Sequence, residues 1–132
     1  MPAGSVQNKA GKFIEPTLES TRAAVAASAP NLPAGDASWS NVTMVNAPGA
    51  DSYPIASFSY LLVPKELSNN PSMTEQKAKA LVDFINWAVT DGQKFAPDLG
   101  YVPLPDNEVQ KIKETLNGLT FNGNPLLNST GG

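Results

Sequence analysis

The residues able to do chemistry in this chain are few and scattered. Its 132 residues include no histidine and no cysteine. It therefore has no imidazole to titrate near neutral pH, no thiolate nucleophile, no disulfide, and no sulfur or imidazole ligand for a transition metal. Hydrolytic triads built on histidine are excluded. Carboxylates, amines and hydroxyls remain, and their spacing identifies no convergent acid, base and nucleophile. The sequence thus reads as non-enzymatic, with no catalytic residue, no metal site and no cofactor.

The nearest approach to a phosphate-cradling loop is Asn8-Lys9-Ala10-Gly11-Lys12. Such a loop needs glycine-rich backbone amides opening a helix, with Lys and Ser or Thr at fixed offsets. The spacing here fits a tight reversal instead, with Gly11 taking a positive φ. Asp51, beside Tyr53 in a Pro-Gly-rich stretch, reads as a turn acceptor. Asp83 and Asp91 fall eight positions apart on a predicted helix, too far for a compact dyad, and fit a solvated face. Trp39, Tyr60, Trp87 and Tyr101 are spaced as packing or rim residues. Lys77, Lys79, Lys111 and Lys113 alternate with acids and read as solubilising. Asn41-Val42-Thr43 and Asn128-Ser129-Thr130 match the N-glycosylation pattern, whose use depends on compartment. The ligand-binding residues stay unknown at this point.

The elements that would position these groups follow from period and punctuation. Val6-Gln7 and Lys12-Phe13 form the arms of a very short hairpin around Gly11. A helix opens at Pro16-Thr17, capped by Thr17, and runs to about Ser28 with Leu18, Thr21 or Arg22, and Val25 inward. Pro30 and Pro33 lie in its exit loop. Residues 41–45 read as a short strand. Residues 53–63 read as a long one, with Ala56, Phe58, Tyr60 and Leu62 on one face and Leu61 and Val63 making its second half apolar on both.

The strongest helix has Ser72 and Glu75 at capping-box spacing. Ala78, Leu81, Phe84 or Ile85, and Ala88 form its stripe, predicted to pack on the long strand. A further turn at residues 93–96 ends at Asp98-Leu99-Gly100, and Pro103 and Pro105 keep the next linker extended. Asp106 caps a last helix with Val109, Ile112 and Leu116 inward and Gly118 after it, and Phe121 anchors the chain beyond. No internal repeat is found. The expected organisation is one α/β domain over residues 1–123, a short sheet with packed helices, and a flexible tail over 124–132.

The chain is 41% hydrophobic and 16% charged with 10 Gly and 12 Pro, as suits a folded domain rich in turns. Nine Lys and Arg against 12 Asp and Glu give a net charge of -3, which argues against a nucleic-acid surface. No segment approaches the roughly 18 apolar residues of a membrane-spanning helix. The first residues show no basic region followed by an apolar stretch, so a secretory signal is absent from this chain.

Taken in order, several of these segments form a recognisable set: residues 6–13, Pro16-Thr17, residues 46–55, Phe84-Ile85-Asn86-Trp87-Ala88, Asp91-Gly92-Gln93, and residues 99–105. Over roughly residues 5 to 121 the chain resembles the C-terminal part of the phosphate-binding component of high-affinity phosphate ABC importers. The resemblance implies a partial periplasmic-binding-protein-like fold whose N-terminal lobe sequence is missing. It also implies an extracytoplasmic or periplasmic setting and a membrane permease of the ABC type as partner. In that family the main phosphate contacts come from earlier sequence: helix-terminal Ser and Thr, an Asp, and an Arg near a Ser-Gly-Thr motif. None of these has a matching position here. The chain is therefore expected to bind phosphate only when complemented by the missing lobe. The alternative is a structural or protein-interaction module derived from the same fold, associating with further copies of itself.

Overall fold

The fold comes from a computed structural model, which describes residues 3–127. The chain divides into two compact units. One comprises the chain up to Ser59 with Phe95–Pro103; the other comprises Tyr60–Lys94 with the chain from Leu104 on. Short sheets and packed helices make it an α/β structure.

In the first unit, β1 (Val6–Gln7) pairs antiparallel with β2 (Phe13–Ile14), Val6 opposite Ile14. The second arm sits one residue later than the pattern predicted. Gly11 closes the reversal at φ 80°, a region where a Cβ would be strained, and donates its N–H to Asn8 O at 2.9 Å. Asn8 itself is 5% exposed, and its side chain organises the unit. Its Oδ1 accepts from the amides of Ala10 (3.0 Å) and Lys12 (3.1 Å). Its Nδ2 faces three carbonyls more than forty residues away: Gly49 (3.3 Å), Ala50 (2.9 Å) and Ser52 (3.1 Å). One carboxamide thus joins the hairpin to the turn at residues 46–54.

Helix α1 (Leu18–Ser28) is capped as expected by Thr17, which accepts from Ser20 N while Ser20 Oγ accepts from Thr17 N. Its buried face is Ser20, Ala24, Val25 and Ser28, and of the expected stripe only Val25 is fully buried. The reason is close packing: the core opposite is Met44, Ala47 and Ala56, supplied by irregular backbone that small side chains can approach. Ser20 and Ser28 enter this face because each hydroxyl finds a carbonyl, Glu15 O at 2.6 Å and Ala24 O at 3.0 Å.

Neither predicted strand forms. Residues 41–45 and 53–63 join no ladder among the described residues. Residues 46–54 make a turn in which Asn46 (φ 56°) donates to Pro54 O at 2.8 Å, and Tyr53 N donates to Ser20 O at 3.0 Å. An alternating pattern specifies a strand only where another strand offers backbone partners, and among the described residues none pairs with these segments. Leu61 and Leu62 are left 71% and 95% exposed.

In the second unit α2 (Glu75–Val89) takes Thr74 as its cap, accepting from Lys77 N at 3.3 Å, in place of the expected Ser72. Ser72 instead offers its carbonyl to Lys77 Nζ at 3.1 Å. The buried stripe is Ala78, Val82, Ile85 and Val89, rotated from the predicted one, so that Phe84 and Trp87 are exposed with ring centroids 5.9 Å apart. The rotation follows from the partner. The stripe packs not on a strand but on Leu67, on Leu116 of α3 (Asp106–Asn117), and on Leu119 and Leu126.

Helix α3 begins one residue earlier than read, with Pro105 at the cap position and Asp106 already helical. Leu116 is buried and Ile112 packs on the core, but Glu108 takes an inward position ahead of Val109, accepting from Asn107 Nδ2 (3.0 Å) and Lys111 Nζ (3.3 Å). Gly118 follows the helix at φ -84°, so no left-handed cap is used there.

Beyond α3, β3 (Thr120–Phe121) and β4 (Asn124–Pro125) form a hairpin. Its turn residues, Asn122 and Gly123, have φ of 51° and 75°, as a type I′ turn requires. The boundary read at residue 123 falls inside this turn, and Leu126 beyond it is 6% exposed in the core. Residues 128–132 of the expected tail, with their glycosylation pattern, lie outside the described residues.

Replacing Asn8 by Ala should cost about 2 kcal/mol or more in urea denaturation, since three carbonyls lose a buried donor. Asn8→Asp should cost more still, because it turns a carboxylate oxygen toward those carbonyls. Equal stability of the Asp variant and the parent would refute this role.

Candidate functional site

Among the described residues two saturated polar centres and an open cavity are the candidates for a site. The first centre is the Asn8 carboxamide, whose donors and acceptor are all engaged by backbone. The second is Glu66 in the second unit. Its Oε1 accepts from Ser68 N (3.0 Å), Ser68 Oγ (2.6 Å) and Asn122 N (2.9 Å), and its Oε2 from Thr120 Oγ1 (2.8 Å) and Gly123 N (2.9 Å). Thr120 N also donates to Lys65 O at 2.9 Å. The carboxylate therefore joins the entry of a 3-10 turn, Leu67–Asn69, to the β3–β4 turn. The Ser68 hydroxyl, then the amides of Gly123 and Ser68, hold its pKa down to about 2. With its acceptor positions filled by protein donors, Glu66 is a structural group and not a ligand group.

The cavity, about 350 Å³, lies in the first unit against Ser28, Asn31, Ser38, Asn41, Thr43 and Asn46, with Leu32, Val42 and Val45 beside them. Its walls are neutral amides, hydroxyls and aliphatic groups. No lysine, no arginine and no α-helix N-terminus opens into it, so it lacks the charge and convergent amides that an oxyanion needs. Arg22, the one arginine in the sequence, is exposed on α1. No group of three or more His, Cys, Asp or Glu among the described residues could hold a metal ion. No described helix is long and apolar enough to cross a membrane.

The residues singled out by type are not brought together into a site. Lys9 and Lys12 flank a structural turn rather than an anion cradle, and both are exposed. Asp51, Asp83 and Asp91 are exposed. Trp39 donates its indole N–H to Ala34 O at 3.0 Å, closing a local loop. Tyr60, Trp87 and Tyr101 are 53%, 44% and 63% exposed. Lys79 pairs with Glu75 at 2.6 Å and Lys111 with Glu108 at 3.3 Å. Asn41 and Thr43 are both at the surface.

Glu66 went unread in the sequence because a lone acid in a loop has no periodic signature. Two local signals pointed to it: Ser68 two positions on, which suits a carboxylate capping its own turn, and Asn122-Gly123, a strong two-residue hairpin signal.

The segments that carry the family resemblance prove to be architectural. Asn8 and Gly11 build the first turn, Asn46, Gly49 (φ 112°) and Ser52 the second, and Gly100 (φ 77°) ends the turn Pro97–Leu99. Gln93 bridges from Ala88 O (2.7 Å) to Leu104 N (2.8 Å), tying the end of α2 to the linker before α3. The described residues form an α/β segment built from turn-fixing residues, with a neutral cavity, and no catalytic set is assembled among them.

Comparison with known proteins gives it relatives. No family model matches the chain. It is 40% identical over 126 residues to the phosphate-binding protein PstS of Methanocaldococcus jannaschii, an alignment covering 86% of this chain and 32% of that protein. It is 38% identical to PstS of Pasteurella multocida and 36% identical to PstS of Xylella fastidiosa. Each alignment covers 83% of this chain, with 29% and 28% of the respective relatives. The chain is thus homologous to PstS phosphate-binding proteins over most of its own length and spans about a third of theirs or less. These relatives are named as binding proteins, in agreement with the non-enzymatic reading.

The depressed Glu66 pKa fixes a sign for pH dependence. A carboxyl held down to about 2 against an ordinary 4.5 adds stability that is complete above 4.5 and is lost as pH falls toward 2. The urea midpoint of the parent should exceed that of Glu66→Gln near neutral pH, and the two should converge across that window. A gap that persists unchanged at pH 2 would contradict the assignment.

Proposed function

We propose that the chain is a segment of a phosphate-binding protein serving phosphate import, acting outside the cytoplasm and handing its ligand to an ABC permease. The observation that carries this reading is the 36–40% identity to three PstS proteins along 83–86% of the chain. Phosphate recognition is assigned to complementary sequence of the kind that makes up the rest of those relatives. The neutral cavity, the exposed single arginine and the saturated Glu66 favour this division of labour. So does the alternating segment at residues 53–63, whose pattern asks for a sheet that the described residues do not supply. In this reading the chain contributes scaffold: turns, two packed helices and a strand awaiting its neighbours.

Phosphate titrated into the chain alone in a calorimeter should give no saturable heat. A stoichiometric phosphate signal, competed by a second phosphate analogue, would show that a site exists without complementation and would remove the central claim.

A second reading, a module that associates with copies of itself, is favoured by the exposure of Leu61 and Leu62. Under it, light scattering should give a mean mass that rises with concentration, and Leu62→Lys should lower it. A monomer at every concentration excludes this reading while leaving the first intact.

A further inference from the structure

The β3–β4 turn places a reactive dipeptide in an unusual restraint. Asparagine followed by glycine is open to succinimide formation, because the residue carrying the attacking nitrogen has no Cβ to obstruct it. The Gly123 nitrogen attacks the side-chain carbonyl carbon of Asn122, its proton passes to the departing amide nitrogen, and ammonia leaves. Water then opens the ring at either carbonyl, giving aspartate or isoaspartate. Both residues are exposed, so water and base have access. The nucleophile, however, is occupied: Gly123 N–H donates to Glu66 Oε2 at 2.9 Å, while Asn122 N–H donates to Oε1 at 2.9 Å. A carboxylate at that distance opposes loss of the amide proton and holds the peptide plane between the two residues.

We propose that Asn122 is a spontaneous deamidation site whose rate is set by Glu66: the closed carboxylate clamp preserves the asparagine, and opening of the clamp commits the turn to succinimide formation and so to aspartate and isoaspartate. Isoaspartate inserts a methylene into a two-residue turn whose φ values of 51° and 75° leave no slack, so the Thr120↔Pro125 register is lost and Leu126 loses its anchor to the core. The modification thereby undoes the interaction that restrains it.

The chain holds its own reference. Asn117-Gly118 is also an Asn-Gly pair, but Gly118 N donates to Leu116 and Thr115 carbonyls at the end of α3, not to a carboxylate. The test incubates the parent, Glu66→Gln and Thr120→Val at neutral pH and follows deamidation at both pairs by peptide mapping. In Glu66→Gln, Asn122 should deamidate about tenfold faster, the factor matching loss of one charge-assisted hydrogen bond, with Asn117 unchanged. Thr120→Val, which loses one bond to Oε2 and keeps the charge, should give a smaller acceleration at Asn122 alone and carries the test if Glu66→Gln fails to fold. An Asn122 rate unchanged in both variants, or rising in step with Asn117 in Thr120→Val, would overturn the proposal.

Discussion

A backbone amide taken out of water must find an acceptor, and this chain has little sheet in which to find one. The four strands among the described residues are two residues long apiece. The loops between the helices therefore rely on side chains to complete their hydrogen bonding. Asn8 does this in the first unit by presenting an acceptor to one turn and donors to another. Glu66 does it in the second by presenting only acceptors, which suits a hairpin tip where successive N–H groups converge. The chemistry differs because the orphaned groups differ: carbonyls crowd one site, amides the other. Among the described residues no buried side-chain nitrogen or oxygen is left without a partner.

That constraint explains why the resemblance to phosphate-binding proteins is so legible in a chain with no recognisable phosphate contact. Residues that fix turns are individually irreplaceable, since a positive φ or a carboxamide with both ends engaged tolerates few substitutes. Asn8, Gly11, Gly49, Gln93 and Gly100 are of this type. A helix stripe, by contrast, can be rebuilt from many aliphatic combinations. The likeness to these relatives rests on residues that fix turns, and those are the residues that the hydrogen bonding of the two units engages.

Local signals were read well from the sequence and non-local ones were not. The first hairpin, the Thr17 cap and the three helices follow from glycine placement, hydroxyl spacing and apolar period. The stripes of α1 and α2 were read a fraction of a turn off, because which of several adjacent apolar residues turns inward depends on the surface opposite. For α2 that surface is Leu67, α3 and the C-terminal hairpin, and it draws in Val82 and Ile85 while leaving Phe84 outside. The strands failed for a deeper reason: alternation at residues 53–63 records a preference whose satisfaction depends on a neighbouring strand. The candidate site was legible mainly as an absence, since missing histidine and cysteine exclude imidazole and thiolate chemistry, whereas the roles of Asn8 and Glu66 arise chiefly from contacts more than forty positions away.

The reach of those two side chains also bears on the order in which the protein assembles. Asn8 meets Ser52 across 44 positions, and Glu66 meets Thr120 across 54. Closing loops of that size carries an entropy cost that precedes any return in contacts, whereas α2 and α3 can each nucleate within a few turns of chain. During synthesis α2 can form as soon as it clears the ribosome, yet Glu66 can engage only its neighbour Ser68 until the chain is complete through Gly123. For that interval the apolar cluster around Leu67 lacks Leu126, which follows the completed hairpin turn.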